Sequence, residues 1–231
     1  MLILAVDTTS HFGSVALIEG RELIAEVNYI SPSTHSRQVF RAVDELLNLS
    51  GQKFDNLEGL AVAAGPGSFT GIRIGLSFIK ALALASGKKL VGVSALEAIS
   101  YKLLWPGVEL IVPMIDARRG EIFAGAYSTL DGQLREVISP GAYNPGNFLD
   151  LIPVEKEAYL IGSGVDLYRS LINDKLGPRA IIPNRSYYLA AEIGLIGEDL
   201  LKKGQRISPA ELKPIYFRKS QAEEKKPVKK R

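Results

Sequence analysis

The sequence predicts an α/β fold made of two related units, the second shorter than the first. Three β-rich apolar runs joined by short turns come first, and helical and strand patterns then alternate, which gives the order βββαβαβ. After Trp105-Pro106 part of this order returns in shorter form, as a weak internal duplication. Strands that alternate with helices in this way are typical of α/β architectures.

In the first unit, three strand-like runs form an antiparallel meander, with a tight turn at Gly20-Arg21. "SPSTHSRQVFRAVDELLNLSG" predicts a helix with Ser and Thr at its start and Gly51 at its end. "LEGLAVAAGPGS" is a buried strand that enters a glycine turn, "TGIRIGLSFIKALALASG" is a helix, and "KKLVGVS" is a further strand.

In the second unit, "ELIVPMIDARRGEIFAGAYSTLDGQLREV" predicts a strand, a loop and a hairpin around Asp131-Gly132. "EAYLIGSGVDLYRSLI" predicts a strand, a glycine turn and a helix. A last helix, 187–205, has one apolar face, and we expect it to return to the first unit. The first domain is therefore 1–105 together with that helix, and the second domain is 106–186.

The composition is that of an ordinary globular protein, with 231 residues, 46% hydrophobic and 23% charged. It has no cysteine, which excludes disulfides, thiolate nucleophiles and zinc–thiolate sites and agrees with a reducing, cytoplasmic location. We expect no membrane helix, because no apolar run reaches about 18 residues, and no signal peptide, because Asp7 interrupts the apolar start.

The formal net charge of +3 is unevenly distributed. From residue 217 onward there are seven Lys or Arg and two Glu, so the preceding part sums to −2. The C-terminal segment 206–231 thus ends in a basic tail, which we expect to be disordered. Such a tail either contacts RNA phosphates or an acidic partner, or is simply a solvated end.

The glycine turn "GPGSFTG" does not match known phosphate-binding motifs. A P-loop needs a Lys and a second glycine at fixed spacing, and neither is present. The dinucleotide fingerprint and the nucleophile elbow both fail at Thr70. The turn therefore either holds an anion at the helix N-terminus or caps the helix through Ser68 or Thr70.

Gly71 and Gly75 lie one turn apart on the second predicted helix, where glycine is unfavourable by about 1 kcal/mol relative to alanine. They indicate close packing against the backbone, either by this protein's own sheet or by a helix of a partner.

Other residues of types that bind metals or anions form only weak sequence patterns. Asp7, followed by Thr8 and Thr9, can hold Mg²⁺ and a phosphate, or can bond backbone amides in a strand-end turn. Asp116, near Arg118 and Arg119, either binds an anion or forms an Asp–Arg pair. The two histidines, His11 and His35, do not have the spacing of a helical metal pair.

An acidic residue and hydroxyls in the meander, the βββαβαβ order and the shorter second copy resemble the actin/hexokinase/Hsp70-like (ASKHA) fold. More specifically, "AVDTTS", "GPGSFTGIRIGLSFIKALA", "VSALEAIS", "IDARRGEIFAGAY", "IGSG" and "PIYFRKS" resemble the TsaB (YeaZ) family over nearly the whole chain. This family is the non-catalytic partner of TsaD in the synthesis of N6-threonylcarbamoyladenosine in tRNA, next to the anticodon.

The resemblance implies a degenerate subunit without catalysis of its own. TsaD-like proteins carry an HxxxH metal pair, and here the matching stretch is "HSRQV", so a metal site is not expected. The implied partners are a TsaD-like subunit, a TsaE-like ATPase and a second copy of the chain, with tRNA reached through the complex. No cofactor is implied, except ATP or ADP with Mg²⁺ at a subunit interface.

In the family, two helices of the first domain form the subunit interface as a four-helix bundle; they match 36–49 and 70–84 here. The residues implied at that interface are Ser36, Val39, Phe40, Val43, Leu46, Leu47, Phe69, Thr70, Gly71, Arg73, Ile74, Gly75 and Phe78. Candidates for a nucleotide or anion are Asp7, Thr8, Thr9, Asp116, Gly162 and Gly164.

Two other functions remain as alternatives. An ATP-dependent phosphotransferase of the same fold would use Asp7 and Asp116 at a Mg²⁺–phosphate site, and a metallopeptidase would need the histidine pair that the sequence lacks. ATP turnover by the pure protein, or a stoichiometric bound metal, would distinguish them from an interaction subunit.

Overall fold

The computed structural model describes residues 1–31, 35–130 and 132–218, and these form two five-stranded sheets with flanking helices. The first sheet contains β1 (Leu2–Asp7), β2 (Phe12–Glu19), β3 (Glu22–Ile30), β4 (Gly59–Gly65) and β5 (Lys89–Ser94). The second contains β6 (Leu110–Arg118), β7 (Glu121–Leu130), β8 (Gln133–Tyr143), β9 (Ala158–Ile161) and β10 (Ala180–Ile181). The helices are α1 (Ser36–Ser50), α2 (Phe69–Ser86), α3 (Ala95–Tyr101), α4 (Pro145–Leu149), α5 (Ser163–Leu167), α6 (Arg169–Leu176) and α7 (Ala190–Lys202).

The two sheets have the same topology. The first has the order β3-β2-β1-β4-β5, with an antiparallel meander followed by two parallel strands. The second has the order β8-β7-β6-β9-β10 with the same directions of pairing. The predicted duplication is confirmed, and the second copy is shortest at β10, which has two residues.

Local sequence explains the first sheet. The Gly20-Arg21 turn was predicted, and both residues have positive φ, which suits the twist of a two-residue hairpin that pairs Glu19 with Glu22. β1 and β4 are buried at every position, as expected for adjacent central strands covered on both faces.

Three apolar clusters hold the helices and the two sheets together. One packs α1 and α2 on the outer face of the first sheet, around Leu4, Leu60 and Val62. A second lies between the two sheets and includes Ile3, Ala61 and residues of α3 and α7. The third packs α4 and α6 on the second sheet.

The last helix is shorter than the predicted 187–205. It begins at Ala190, because Tyr187 and Tyr188 turn towards Phe12 instead of joining the helix. Gly194 and Gly197 then let α7 lie close to the first sheet, where an added Cβ would stand 2.3 Å from Ile18 and 2.6 Å from Ala61. This C-terminal helix therefore packs on the first sheet.

The helix α1 ends as predicted, with Gly51 in the left-handed conformation. Its start differs from the prediction of a Ser or Thr cap. The residue before it is His35, which makes no side-chain capping bond; Ser33 and Thr34 lie outside the described residues. The His35 Nε2 atom is instead 2.7 Å from the carbonyl of Ser10. Burial lowers the pKa of this histidine.

By length and composition alone, α2 is apolar enough to cross a membrane, with a mean hydropathy of 1.4 over 18 residues, so the expectation that no run reaches this length was wrong. One face of α2, including Ile72, Leu76 and Ile79, packs into the cluster on the first sheet. Leu84 on the other side is 73% exposed. The apolar residues of α2 therefore lie on both its buried face and its exposed face.

Candidate functional site

Asp7 ends β1 and is completely buried. Its Oδ1 accepts hydrogen bonds from the backbone N–H and the hydroxyl of Thr9, at 2.8 and 2.7 Å, whereas Oδ2 has no partner among the described residues. Desolvation by burial raises the pKa of Asp7 to about 6. The carboxylate therefore stabilises the strand-end turn, as the second alternative expected. Binding of Mg²⁺ or a phosphate by Asp7 stays a prediction.

The glycine turn packs against that same strand-end turn. The Ser68 N–H donates to the carbonyl of Thr9 at 2.6 Å, and the Ser68 hydroxyl accepts from the Gly71 N–H at 3.3 Å. Gly67 has positive φ, and a Cβ there would stand 2.4 Å from the Thr9 carbonyl. The Ser68 and Gly71 N–H groups are thus bonded within the chain, and Ser68 is the helix cap.

Gly71 and Gly75 face the interior, which favours close packing within this chain, the first of the two alternatives; contact with a partner's helix stays a prediction. A Cβ on Gly71 would stand 2.0 Å from the Thr8 carbonyl, and one on Gly75 would stand 2.5 Å from the Thr8 hydroxyl. That hydroxyl donates to the Gly71 carbonyl at 2.7 Å. The two glycines let the end of β1 lie directly on α2, and Thr8 has a packing role.

The candidates in the second half also have contacts within the chain. Added Cβ atoms on Gly162 and Gly164 would stand 2.3 and 3.0 Å from the Met114 carbonyl, so both glycines allow α5 to approach β6. The Asp116 Oδ1 accepts from the backbone N–H of Arg118 at 2.7 Å. Nucleotide or anion binding by these residues stays a prediction.

The cleft between the two sheets is narrow at the end of β1. It contains a cavity of about 60 Å³, lined by Thr9, Phe12, Pro66, Ser163 and Tyr187 among others. The ring of Phe12 lies 5.6 Å from that of Tyr187 and 5.4 Å from that of Tyr188. Pockets for ligands of drug size are usually about 300–1,000 Å³, so this cavity is small for such a ligand.

A second cavity, of about 280 Å³, lies beside α5. It is lined by Asp166, Arg169 and Arg185 among others, and Asp166 is already bonded to Arg169 and to the hydroxyl of Tyr187. Within the described ranges, no group of three His, Cys, Asp or Glu residues is placed to hold a metal ion.

The outer surface of α1 and α2 is the remaining candidate, and we call it the α1–α2 face. Phe40 is its exposed aromatic side chain: it is 62% exposed, although its ring packs edge-on against Phe78 at a centroid distance of 4.7 Å. Ser36, Thr70 and Arg73 are also exposed. This face combines one large aromatic group with polar neighbours, as protein-binding surfaces do.

Only part of the predicted interface lies on this face. Leu47, Phe69 and Ile74 are half-buried. The residues that the structure places in the interior are Val39, Val43, Leu46, Gly71, Gly75 and Phe78. Helical spacing gives the apolar stripe, and in the isolated chain that stripe faces the sheet, so contact of these six residues with a partner stays a prediction.

The sequence reasoning missed the C-terminal segment as part of this region. Tyr216 stacks on Phe69 at 4.5 Å, and its hydroxyl accepts a hydrogen bond from Arg73. The guanidinium of Arg73 also lies 4.0 Å from the centre of the Phe69 ring. The two adjacent aromatic residues in "PIYFRKS" could have indicated that this segment packs on the fold. The exposed apolar residues Leu49 and Leu84 were missed as well.

Comparisons with known proteins agree with this architecture. Residues 27–226 match a family model described as TsaD, tRNA N6-adenosine threonylcarbamoyltransferase. YeaZ from Pseudomonas aeruginosa has a similar structure, with a TM-score of 0.79 and 24% identity over 93% of this chain and 99% of that one. A ROK hexokinase from Thermus thermophilus shares the fold, with a TM-score of 0.53 and 11% identity over 88% of this chain and 100% of that chain.

Among curated relatives, the tRNA threonylcarbamoyladenosine biosynthesis protein TsaB of Bacillus subtilis is 31% identical, over 97% of each chain. The TsaB protein of Haemophilus influenzae is 29% identical, over 94% of each. Each match covers almost the full length of this chain and of the relative. The chain belongs to the TsaB (YeaZ) family.

Proposed function

We propose that the chain is a partner-binding subunit, without catalysis of its own, in the synthesis of N6-threonylcarbamoyladenosine in tRNA. Its main partner would be a TsaD-like threonylcarbamoyltransferase, which it supports in transferring the threonylcarbamoyl group to the adenosine next to the anticodon. The names of its relatives support the pathway, and the match to the TsaD model supports kinship with the catalytic subunit.

The observation that carries the proposal is the exposed Phe40 on the α1–α2 face. Burying a phenylalanine side chain contributes about 1.5–3 kcal/mol, and aromatic anchors of this kind dominate the energy of many interfaces. Phe40 rests on Phe78, whose own side chain is buried, so the anchor is held in place before a partner arrives.

The small cavity between the sheets supports the absence of independent catalysis. Asp7, the acidic residue that a phosphotransferase of this fold would need, is buried and bonded within its own turn. We therefore propose that the chain uses no cofactor alone, and that ATP or ADP with Mg²⁺ binds only at a subunit interface. A TsaE-like ATPase as a third subunit, a homodimer through the α1–α2 face and a cytoplasmic location belong to the same proposal.

Substitution of Phe40 by aspartate tests the proposal. The chain is mixed with TsaD of the same organism, and the mass of the mixture is measured by size-exclusion chromatography with light scattering. We expect a mixed complex with the wild type and at least tenfold weaker association with Phe40→Asp, because about 1.4 kcal/mol corresponds to each factor of ten. The matched control is Val154→Asp, since Val154 is 68% exposed but lies in the second half, after α4.

A mixed complex that forms equally well with Phe40→Asp would remove the α1–α2 face from the proposal. Failure of the wild type to associate with TsaD would overturn the proposed function itself. A bulky residue at Gly75 is not a useful probe, because its side chain would collide with Thr8 inside the protein.

A further inference from the structure

The cavity of about 280 Å³ beside α5, which we call the α5 cavity, lies at the carboxyl ends of two neighbouring strands. β9 and β10 are parallel, and the cavity is lined by residues at the end of β9 and by the segment 182–185, which follows β10. Ligands of open α/β sheets bind in crevices at this edge of the sheet. The volume is close to the lower limit of about 300 Å³ for pockets that bind small molecules. Position and size are therefore those of a site for a small ligand.

Part of the lining is apolar and rests on the core of the second half. Val165 is buried in the apolar cluster of the second sheet, and Ile182 packs against that cluster. Pro183 and the side chain of Tyr187 also line the cavity. An apolar lining with a few polar groups is typical of small-molecule sites, and it favours a ligand that has an apolar or aromatic part.

The acidic residue of the lining holds two of its neighbours in place. The Asp166 Oδ1 atom accepts a hydrogen bond from Arg169 Nη2 at 3.1 Å, and Oδ2 accepts one from the Tyr187 hydroxyl. The two bonds use different oxygens of the carboxylate. Asp166 therefore orients Arg169 and Tyr187 at the wall of the cavity.

Arg185 adds a positive charge that no carboxylate balances. Its guanidinium lies 4.8 Å from the centre of the Trp105 ring, and in the described part of the chain it forms no hydrogen bond or ion pair. Stacking on an aromatic ring leaves the N–H groups of a guanidinium available as donors. Arg185 is thus held against Trp105 while its donors stay open to a ligand.

The lining therefore carries a net positive charge. Among the described residues that line the α5 cavity, two arginines accompany one carboxylate, that of Asp166, which gives a formal charge of +1. A guanidinium matches the geometry of a carboxylate or a phosphate, and it can bond either group through two parallel N–H donors. The charge and the apolar lining together specify a ligand that is both anionic and partly apolar.

We propose that the α5 cavity binds a small organic anion, a carboxylate or a phosphate ester that carries an apolar or aromatic group. Arg185 donates to the anionic oxygens, Arg169 adds a second positive charge, and Ile182 and Tyr187 enclose the apolar part. The sequence reasoning did not single out any of these four residues. The site lies in the second half of the chain, apart from the α1–α2 face, so it does not rest on the proposed function.

Trp105 is the single tryptophan of the sequence, and its contact with Arg185 makes it a reporter for the site. The full chain is titrated with benzoate and, separately, with phenyl phosphate, while tryptophan fluorescence and the heat of binding are measured. We expect saturable binding of at least one of the two, with a dissociation constant of about 1 mM or lower. The compound that binds more tightly identifies the anionic group as carboxylate or phosphate.

Two further probes separate the charge from the apolar part. Benzamide has nearly the shape of benzoate without its charge, and inorganic phosphate has the charge without the ring. We expect both to bind at least about tenfold more weakly than the better of the two aromatic anions. Equal binding of benzamide and benzoate would overturn the anion site, and equal binding of inorganic phosphate and phenyl phosphate would overturn the organic ligand.

Arg185→Gln tests the residue that carries the inference. Because Arg185 is exposed, we expect the melting temperature to stay close to that of the wild type, and the affinity for the aromatic anion to fall on the order of tenfold. Arg185→Lys keeps the charge but not the two-pronged donor, and it should bind with an intermediate affinity. The matched control is Arg206→Gln, which removes an exposed arginine elsewhere and should bind like the wild type.

The heat of binding decides between the variants, because removal of Arg185 also changes the surroundings of Trp105. Equal affinity in the wild type and Arg185→Gln would overturn the proposal. So would a wild type in which neither aromatic anion shows saturable binding up to about 10 mM, ten times the expected dissociation constant.

Discussion

Asp7 shows how burial changes the chemistry of a single residue. In a strand-end turn open to solvent, its carboxylate would be an ordinary ligand for Mg²⁺. Here it is fully buried, and one oxygen lacks a partner within the described structure, so ionisation is unfavourable and the pKa rises to about 6. The residue type was visible in the sequence, but its surroundings were not.

Replacement of Asp7 by asparagine should stabilise the protein at high pH. Between about pH 4 and 6 the folded wild type holds a proton that the unfolded chain has released, so its free energy of unfolding decreases as pH rises through this window. Asparagine keeps the acceptor for Thr9 and removes the buried charge. We expect Asp7→Asn to be more stable by about 1–2 kcal/mol at pH 8 and no more stable at pH 4.5.

Urea denaturation at the two pH values measures this difference. Thr9→Val is the matched control, because it removes one hydrogen bond to the carboxylate without removing the charge, and it should be less stable than the wild type at pH 8. An Asp7→Asn variant that is destabilised at pH 8 would contradict the account, and would point to a need for the negative charge.

Among the elements, the C-terminal segment joins parts of the fold that are far apart in sequence. The Ile215 N–H donates to the Ala64 carbonyl at 2.7 Å, and Tyr216 stacks on Phe69. Phe217 lies 6.1 Å from the ring of Phe123, and Arg218 bonds to Glu121. The segment thus holds the glycine turn of the first half and the β6–β7 turn of the second.

Loss of the Tyr216 ring should loosen this segment. Tyr216→Ala removes the stacking with Phe69 and the bond to Arg73, at a cost of about 1–2 kcal/mol. We expect the Ile215 amide to exchange hydrogen on the order of tenfold faster, as seen by exchange measured with NMR or mass spectrometry. Tyr216→Phe keeps the stacking and should stay close to the wild type; similar exchange in both variants would show that the ring does not fasten the segment.

At the scale of helices, the α1–α2 pair illustrates what periodicity can and cannot decide. Val39, Val43 and Leu46 recur at helical spacing, and this predicted the helix and its apolar stripe correctly. The stripe, however, packs on the sheet, and the exposed Phe40 lies beside it. A single apolar residue next to a buried stripe is recognised as a surface anchor only when the orientation of the helix is known.

For the whole molecule, the small size of the cavity between the two sheets bears on nucleotide binding. The cavity between the sheets has a volume of about 60 Å³, well below the usual range for pockets that bind small molecules. We therefore expect Mg-ATP to leave the melting temperature of the isolated chain unchanged. A ligand at about 100 times its Kd would stabilise the protein by about 2.7 kcal/mol, which thermal denaturation detects readily. A clear rise in melting temperature would restore the phosphotransferase alternative, and Asp7→Ala would then test it.

The sequence by itself determined the fold class, the duplicated order of elements and the family. Strand and helix periodicities are local, and motifs such as "GPGSFTGIRIG" stand contiguous in the chain, so both are visible without a structure. The tertiary structure alone decided which side of each element faces inward. It showed that Gly71 and Gly75 serve Thr8, that Asp7 is desolvated, and that the C-terminal segment reaches the β6–β7 turn. These are contacts between residues far apart in the chain, and no local pattern records them.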